Sequence, residues 1–149
     1  MIYVDADACP VKDEIYRVAK RLNVNVIVAA NCPMRVPTDA LIELVVKPGF
    51  GSVDDWIAET CGPDDLVITA DIPLAARALG RGSFVLDPRG NPFTERDIGH
   101  ALATRELMSE LRMTGEVTGG PAPFAPKDRS RFLSKLDEIL HTIQRRTAK

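Results

Sequence analysis

Hydrophobic residues at the start of the chain follow the pattern of a strand, a helix and a second strand. Residues 2–4 form a short apolar run, and Pro10 follows at a position where the first turn of a helix tolerates proline. Over residues 11–22 the apolar side chains recur at helical spacing, Asn23 is a suitable stop, and residues 24–30 are typical of a buried strand. The chain is therefore predicted to open with a βαβ unit.

The same alternation continues in the following segments of the chain. Further strands are predicted at residues 41–46, 66–69 and 84–86. Helices are predicted from Ser52, over residues 72–79 and from Thr94 towards Met113. Strands that alternate with helices favour a mainly parallel sheet with helices on both faces, so the fold class is predicted to be α/β.

The C-terminal region departs from this alternation. Residues 114–127 contain three glycines and three prolines, a composition that predicts a loop or lid. A final helix is predicted from about Ser130 to Arg146, within a C-terminal segment of residues 128–149, because its apolar residues share one face. A length of 149 residues with 45% hydrophobic residues suits one domain, so residues 1–149 are predicted to fold as a single unit.

Composition narrows the class of protein further. The chain has no basic segment followed by a long apolar run, so we expect neither a signal peptide nor a membrane partner. Its three cysteines lie far apart in sequence, which suits reduced thiols in the cytoplasm. Residues 1–99 carry 10 Lys and Arg against 15 Asp and Glu, whereas residues 100–149 carry 9 against 6. A polyanion would be attracted by the second segment, and repelled by the first unless cations neutralise it.

Aspartates follow the predicted strands at the points where those strands end. Asp5 and Asp7 follow the first strand, Asp71 follows the strand at residues 66–69, and Asp87 follows the strand at residues 84–86. The carboxyl ends of parallel strands meet at one edge of a sheet, where open α/β sheets bind ligands. Two further aspartates at the start of a helix could join them: Asp54 and Asp55.

Carboxylates packed together repel one another, and a cation among them is the simplest remedy. Oxygen ligands without nearby His or Cys favour Mg²⁺ or Mn²⁺ over zinc. A single aspartate after a strand is commonly a helix N-cap, but one cap does not account for both Asp5 and Asp7. The joint pattern therefore predicts a metal site rather than a set of caps.

Several motifs resemble the YaiI/YqxD family of bacterial proteins along almost the whole chain. They lie at residues 4–10, 67–75, 87–90, 120–124 and 128–132. The family is similar to PIN-like nucleases, a superfamily whose members cut RNA or DNA with acidic residues and Mg²⁺ or Mn²⁺. This resemblance implies a PIN-like three-layer α/β fold and a nuclease that hydrolyses phosphodiester bonds to give 5′-phosphate products.

The resemblance also implies roles for individual residues. Asp5 matches the aspartate after the first strand, Asp71 matches the aspartate of a Thr-x-Asp segment, and Asp7 is an added neighbour. Val53 stands where flap endonucleases often have a glutamate, which leaves the number of metals open. The implied catalytic residues are Asp5, Asp7 and Asp71. The implied metal ligands are Asp5, Asp7, Asp54, Asp55, Asp71 and Asp87.

Nucleic acid is the implied partner, with RNA favoured over DNA, and the sequence leaves the oligomeric state open. Four basic residues are candidates for contacts with substrate phosphates, since guanidinium groups offer paired donors to phosphate oxygens. These candidates are Arg89, Lys127, Arg129 and Arg131. Ordinary surface charge is the alternative for each of them.

Two other functions remain open from the sequence. Asp5 and Asp7 resemble the nucleophile and acid of haloacid dehalogenase-type phosphatases, although Cys9 replaces the usual Thr or Val there. A non-catalytic RNA-binding module is the second alternative, but the aromatic residues are scattered and are expected mostly in the core. Cys9 itself is expected to be a small buried thiol rather than a nucleophile.

Overall fold

The computed structural model describes residues 1–96, 99 and 123–147 of the chain. Among these residues, six strands form a single sheet: β1 (Ile2–Asp5), β2 (Val26–Ala30), β3 (Ile42–Val46), β4 (Leu66–Ile68), β5 (Phe84–Leu86) and β6 (Pro92–Phe93). Their order across the sheet is β3-β2-β1-β4-β5-β6. All neighbouring pairs are parallel except β5 and β6, which are antiparallel. The predicted mainly parallel sheet is confirmed.

The helices lie between and after these strands. Those with defined bounds are α1 (Lys12–Leu22), α2 (Ser52–Thr60), α3 (Ile72–Gly80) and α4 (Pro126–Thr147). Helix α1 ends where predicted, because Asn23 adopts the left-handed conformation with φ of 58° and closes the helix. The predicted α/β class with helices flanking the sheet is therefore confirmed.

Two of the predicted segments fall largely or partly beyond the described residues. The helix predicted from Thr94 to Met113 lies largely outside them, and so do residues 114–122 of the predicted loop. Helix α4 begins at Pro126, four residues before the predicted start, so Pro126 and Lys127 are helical. Proline is tolerated in the first turn of a helix, and Asp128 Oδ2 accepts a hydrogen bond from the Ala125 N–H at 2.9 Å.

Alternate strand residues pack against different helix layers, as the period of a strand requires. On β1, Ile2 and Val4 face the layer formed by α1 and α4, whereas Tyr3 faces α2 and α3. The first layer contributes the buried residues Ile15, Val18, Phe132 and Leu136, and the second contributes Val53, Ile57, Leu74 and Ala78. Both faces of the sheet are thus covered, and its carboxyl edge remains for a site.

The turn between β5 and β6 contacts the beginning of α4 very closely. Gly90 in this turn has φ of +87°, and a Cβ atom built on it would lie 2.6 Å from the backbone of Arg131 and Phe132. Only glycine combines the left-handed conformation with such an approach. The turn therefore sets the position of the first turns of α4 against the sheet.

We predict that Gly90→Ala lowers the free energy of unfolding by about 2–4 kcal/mol, because it adds both backbone strain and overpacking. Denaturant unfolding followed by circular dichroism would measure this. Gly80→Ala is the matched control, since a Cβ at Gly80 in α3 meets no atom within 4 Å. Helix propensity should make that control neutral or stabilising by up to about 1 kcal/mol. Equal effects of the two substitutions would contradict the close packing of Gly90.

Candidate functional site

Parallel pairing of β1 with β4 brings two chain segments to the same edge of the sheet. Val4 pairs with Ile68, so Asp5 and Thr69 are the next residues along their respective strands. The chain leaves β1 through a 3₁₀ turn at Ala6–Ala8. Lys12 Nζ donates hydrogen bonds to the carbonyl oxygens of Ala6 at 3.3 Å and Cys9 at 3.1 Å. This lysine holds the turn that carries Asp7.

Four of the predicted aspartates line one cavity of about 380 Å³ at this edge. Asp5 and Asp7 come from the end of β1, Asp54 from the first turn of α2, and Asp71 from the N-cap of α3. The other described residues that line it are Asn31, Phe50, Gly51, Val53 and Ala70. The structure therefore brings together carboxylates from three separate segments of the chain.

Hydrogen bonds link the aspartates through a buried threonine. Thr69 Oγ1 donates to Asp5 Oδ2 at 2.9 Å and accepts from the Asp71 N–H at 3.0 Å. Asp71 Oδ1 accepts from the Leu74 N–H at 2.8 Å, which caps α3. Among the described residues, the second oxygen of Asp5 and that of Asp71 accept no hydrogen bond from the protein. In each carboxylate, a hydrogen bond within the protein therefore fixes one oxygen, and the other oxygen is available to a ligand.

Electrostatic repulsion accompanies this arrangement. Burial raises the pKa of Asp5 to about 6, the charges of Asp54, Asp7 and Asp71 add to the rise, and the Thr69 hydrogen bond partly opposes it. The pKa of Asp54 is raised first by burial and then by Asp71 and Asp55. The cavity therefore favours either protons or a cation.

Hard oxygen donors of this kind suit Mg²⁺ or Mn²⁺, yet they are not already arranged around one point. In the portion of the chain that the structure describes, no three His, Cys, Asp or Glu side chains lie close enough together to ligate a metal as they stand. Mg²⁺ needs only one or two carboxylates, because it keeps several of its waters. The residues fit such an ion, with water completing its coordination.

Two predicted ligands lie outside the cavity. Asp87 Oδ1 accepts from the backbone N–H groups of Arg89 at 2.9 Å and Asn91 at 2.8 Å, and Asp87 Oδ2 accepts from Asn91 Nδ2 at 3.2 Å. These local amides occupy Asp87 in the turn between β5 and β6. Asp55 is exposed on α2 and pairs with Arg77 Nη1 at 2.7 Å. Although both residues follow strands, local geometry directs their side chains elsewhere.

Three of the predicted phosphate contacts neutralise buried carboxylates. Asp128 Oδ2 pairs with Arg89 Nη1 at 3.0 Å, and Asp128 Oδ1 pairs with Arg131 Nη1 at 3.5 Å. Arg129 Nε pairs with the buried Glu14 on α1 at 3.2 Å. These arginines hold the N-terminal turn of α4 to α1 and to the turn between β5 and β6. The fourth candidate, Lys127, lies exposed in the first turn of α4.

An aromatic ring lies between two of these arginines. The Phe124 ring centroid is 5.9 Å from the Arg89 guanidinium and 5.6 Å from that of Arg129. Cations over an aromatic face are attracted to its electron density. The ring therefore orders both guanidinium groups beside their carboxylate partners.

Sequence reasoning missed three residues of the site. Asn31 left no signal because single polar residues after strands are common. Thr69 belongs to the Thr-x-Asp segment, but the sequence assigned it no role of its own. The aromatic residues are expected mostly in the core, and Phe50 is an exception, with a relative exposure of 108%. Cys9 is buried as expected, and burial raises its pKa to about 11, which disfavours a nucleophilic thiolate.

Together, the fold and the cavity define an α/β protein with an acidic site at the carboxyl edge of a parallel sheet. The chain belongs to the YaiI/YqxD family, since the family model described as "Uncharacterized BCR, YaiI/YqxD family" matches residues 3–142. No solved structure gives a significant match. Among the described residues, none of the helices has the length and apolar character needed to cross a membrane.

Relatives of this chain are similar to it over nearly their whole length. UPF0178 protein BRADO3147 of Bradyrhizobium sp. (strain ORS 278) is 59% identical over 148 residues, which cover 99% of this chain and 90% of that protein. UPF0178 protein bll3966 of Bradyrhizobium diazoefficiens is 60% identical over 97% of this chain and 87% of its own. A UPF0178 protein of Nitrobacter winogradskyi is 57% identical, with 99% and 94% covered.

The raised pKa of Asp5 predicts how the stability of the metal-free protein changes with pH. Because its folded pKa of about 6 exceeds the ordinary 3.8, the charged carboxylate opposes folding, and stability is lost as pH rises from about 4 through 6. Asp5→Asn removes that charge and keeps an acceptor for Thr69. We expect the variant to gain about 1–2 kcal/mol at pH 8, after allowance for solvent screening. Urea unfolding in chelator would measure it.

The control for this experiment is Asp55→Asn, the same change at an exposed neighbour of the cavity. It should alter stability by less than about 1 kcal/mol at either pH. The gain from Asp5→Asn should shrink towards zero at pH 4, where the folded wild-type carboxyl is already protonated. A gain that is absent at pH 8, or equal at both pH values, would contradict charge repulsion in the cavity.

The buried Asp128 generates a separate prediction. Asp128→Ala should lower the free energy of unfolding by about 2–4 kcal/mol, because it removes a helix cap and leaves Arg89 and Arg131 without their shared carboxylate. Asp137→Ala on the same helix is the control, since Asp137 pairs with Arg21 at the surface. That change should cost less than about 1 kcal/mol. Similar losses in the two variants would show that the Asp128 pairs contribute no more than surface pairs.

Proposed function

We propose that this protein is a nuclease that uses Mg²⁺ or Mn²⁺ to hydrolyse phosphodiester bonds in nucleic acid, with RNA preferred over DNA. The observation that carries the proposal is the convergence of Asp5, Asp7, Asp54 and Asp71 on one cavity. The similarity of the family to PIN-like nucleases supports it. The free cysteines suit a reducing compartment, so we propose that the activity is cytoplasmic.

Within the cavity, Asp5 and Asp71 are best placed to hold the cation. Each is oriented through one carboxylate oxygen, Asp5 by Thr69 and Asp71 by the Leu74 N–H, so the second oxygen is presented with little freedom to turn. Preordered ligands lose less entropy when an ion binds. Asp7 and Asp54 add negative charge at the same cavity and are available for direct or water-mediated contact.

A divalent cation supplies charge neutralisation at the phosphate and lowers the pKa of water. The contribution of the chain is to position that ion. It also holds the basic side chains that pair with Asp128 away from the cavity, where they would compete with the ion. Arg89 and Arg131 already pair with Asp128, so they leave the acidic cavity without a nearby neutralising partner from that cluster. The structure therefore favours an external cation over an internal ion pair at Asp5.

The test is cleavage of labelled RNA by the wild type and four aspartate variants, with Mg²⁺, Mn²⁺ or chelator. Asp5→Asn and Asp71→Asn should reduce the cleavage rate by at least about 100-fold, since they remove ligand charge. Asn also keeps the Thr69 contact and the α3 cap, so both variants should fold. Asp55→Asn and Asp87→Asn are matched controls outside the cavity and should retain activity within a fewfold range.

Metal binding can be measured independently of cleavage, by thermal unfolding. Mn²⁺ should raise the Tm of the wild type and of both controls, because a ligand that binds the folded state stabilises it, and should leave the Tm of Asp5→Asn almost unchanged. Cleavage that survives Asp5→Asn and Asp71→Asn, or that occurs equally in chelator, would contradict the proposal.

The non-catalytic RNA-binding module is the second candidate, because no group of three His, Cys, Asp or Glu side chains among the described residues is close enough to ligate a metal as it stands. RNA binding that weakens with salt, without metal-dependent cleavage, would support it. The phosphatase alternative would need Asp5 as the attacking carboxylate. A phosphoryl or fluoride–metal adduct trapped on Asp5 would support that reading.

A further inference from the structure

The exposure of the Phe50 side chain is not explained by packing of the core. Its side chain has a relative exposure of 108%, and apart from the partly exposed Met1 no other large hydrophobic residue in the described segments of the chain is exposed. The residue nevertheless lines the cavity that contains Asp5, Asp7, Asp54 and Asp71. A ring that is open to solvent at an acidic site is available to a ligand of that site.

The backbone presents this ring from a defined turn. Gly49 and Gly51 on either side have φ of +108° and +74°, a region that favours glycine. The Gly49 carbonyl accepts from the Ser52 N–H at 3.3 Å, and the Gly51 carbonyl accepts from the Asp55 N–H at 3.0 Å. A Cβ on Gly49 would lie 2.9 Å from Ser52 Oγ. The turn joins directly to α2 and places the ring at the wall of the cavity.

We propose that the Phe50 ring stacks on a nucleobase of the substrate strand next to the phosphodiester held in the cavity. This inference rests on the proposed nuclease function. A phosphate in a nucleic acid strand is flanked by bases, so a group held at the carboxylates places a base near the cavity wall. Every base offers an aromatic face, and stacking on Phe is a common mode of single-strand binding.

A lysine lies in the connection between β3 and this turn. Lys47 precedes Phe50 by three residues, and its Nζ lies 5.8 Å from the centroid of the Trp56 ring on α2. A positive charge in this connection would attract the phosphates of a bound strand. A protein ligand that bound only through an apolar side chain would use Phe50 but not the carboxylates beside it. Because Phe50 and the carboxylates line the same cavity, nucleic acid is the favoured ligand.

Stacking requires that one face of the base is open. In a duplex both faces are covered by neighbouring base pairs, whereas in loops and single strands bases can be displaced onto an aromatic side chain. Phe50 is therefore a specificity-determining residue that favours unpaired nucleotides at the site of cleavage. Because the ring is exposed, its removal should leave stability unchanged.

The experiment measures binding and cleavage by four variants of the full chain. Phe50→Ala and Phe50→Leu remove the aromatic face, and Phe50→Tyr and Phe50→Trp keep it. The probe is a single-stranded RNA that carries 2-aminopurine, bound in Ca²⁺ with a gel to verify that the strand stays intact. We expect Phe50→Leu to bind about tenfold more weakly, with less quenching of the probe, and Phe50→Trp to bind like the wild type.

The kinetics of RNA cleavage provide an independent test. Phe50→Leu should raise KM for single-stranded RNA about tenfold with little change in kcat, because stacking is lost equally from the bound substrate and the transition state. If Phe50→Leu binds, quenches and cleaves like the wild type, stacking is overturned even where Asp71→Asn abolishes cleavage. If the wild type does not cleave but the aromatic dependence of binding and quenching holds, stacking stands and the nuclease proposal fails.

Discussion

The parallel pairing of β1 with β4 is the interaction on which the acidic cavity depends. It sets Val4 beside Ile68, so the segments that leave these strands begin at the same edge of the sheet. Thr69 Oγ1 then bonds to both Asp5 and the backbone of Asp71. The strands are fixed by their buried apolar residues, so the carboxylates cannot separate without loss of the core. Their repulsion is a free-energy cost of the fold that a bound cation would offset.

A second group of buried carboxylates differs from the acidic cavity in how its charge is balanced. Asp128 and Glu14 are buried, but arginines compensate both of them within the protein. This cluster joins α4 to α1 and, through Gly90, to the turn after β5. The contrast is informative, because the chain contains enough arginine to neutralise buried carboxylates and does so at α4. Among the described residues, no arginine lines the acidic cavity, so an external cation could balance its charge.

Fold class and much of the cavity could be predicted from the sequence, for identifiable reasons. Apolar runs with helical stretches between them indicate parallel strands, and parallel strands share an edge, so Asp5, Asp7 and Asp71 could be placed together. Asp87 satisfied the same rule, and Asp55 lies at the start of the helix after β3. Turn amides bond to Asp87 and Arg77 pairs with Asp55, and periodicity does not specify such hydrogen-bond and ion-pair partners. The carboxylate partners of Arg89 and Arg129 are distant in sequence, and a solitary aromatic residue in a glycine turn forms no periodic pattern. These contacts depend on tertiary packing.

In the proposed function, the cavity would recognise its substrate through two interactions that respond differently to salt and to metal. Attraction between the carboxylates and a phosphate depends entirely on a cation, since like charges repel without one. An aromatic ring carries no charge, so its stacking persists when salt screens the backbone. With Phe50 at the wall and Asp5 and Asp71 within, binding of a strand would keep a salt-resistant component that is separate from the metal-dependent one. If the proposed function is correct, affinity for the base and catalysis at the phosphate depend on different side chains, and each could vary without loss of the other.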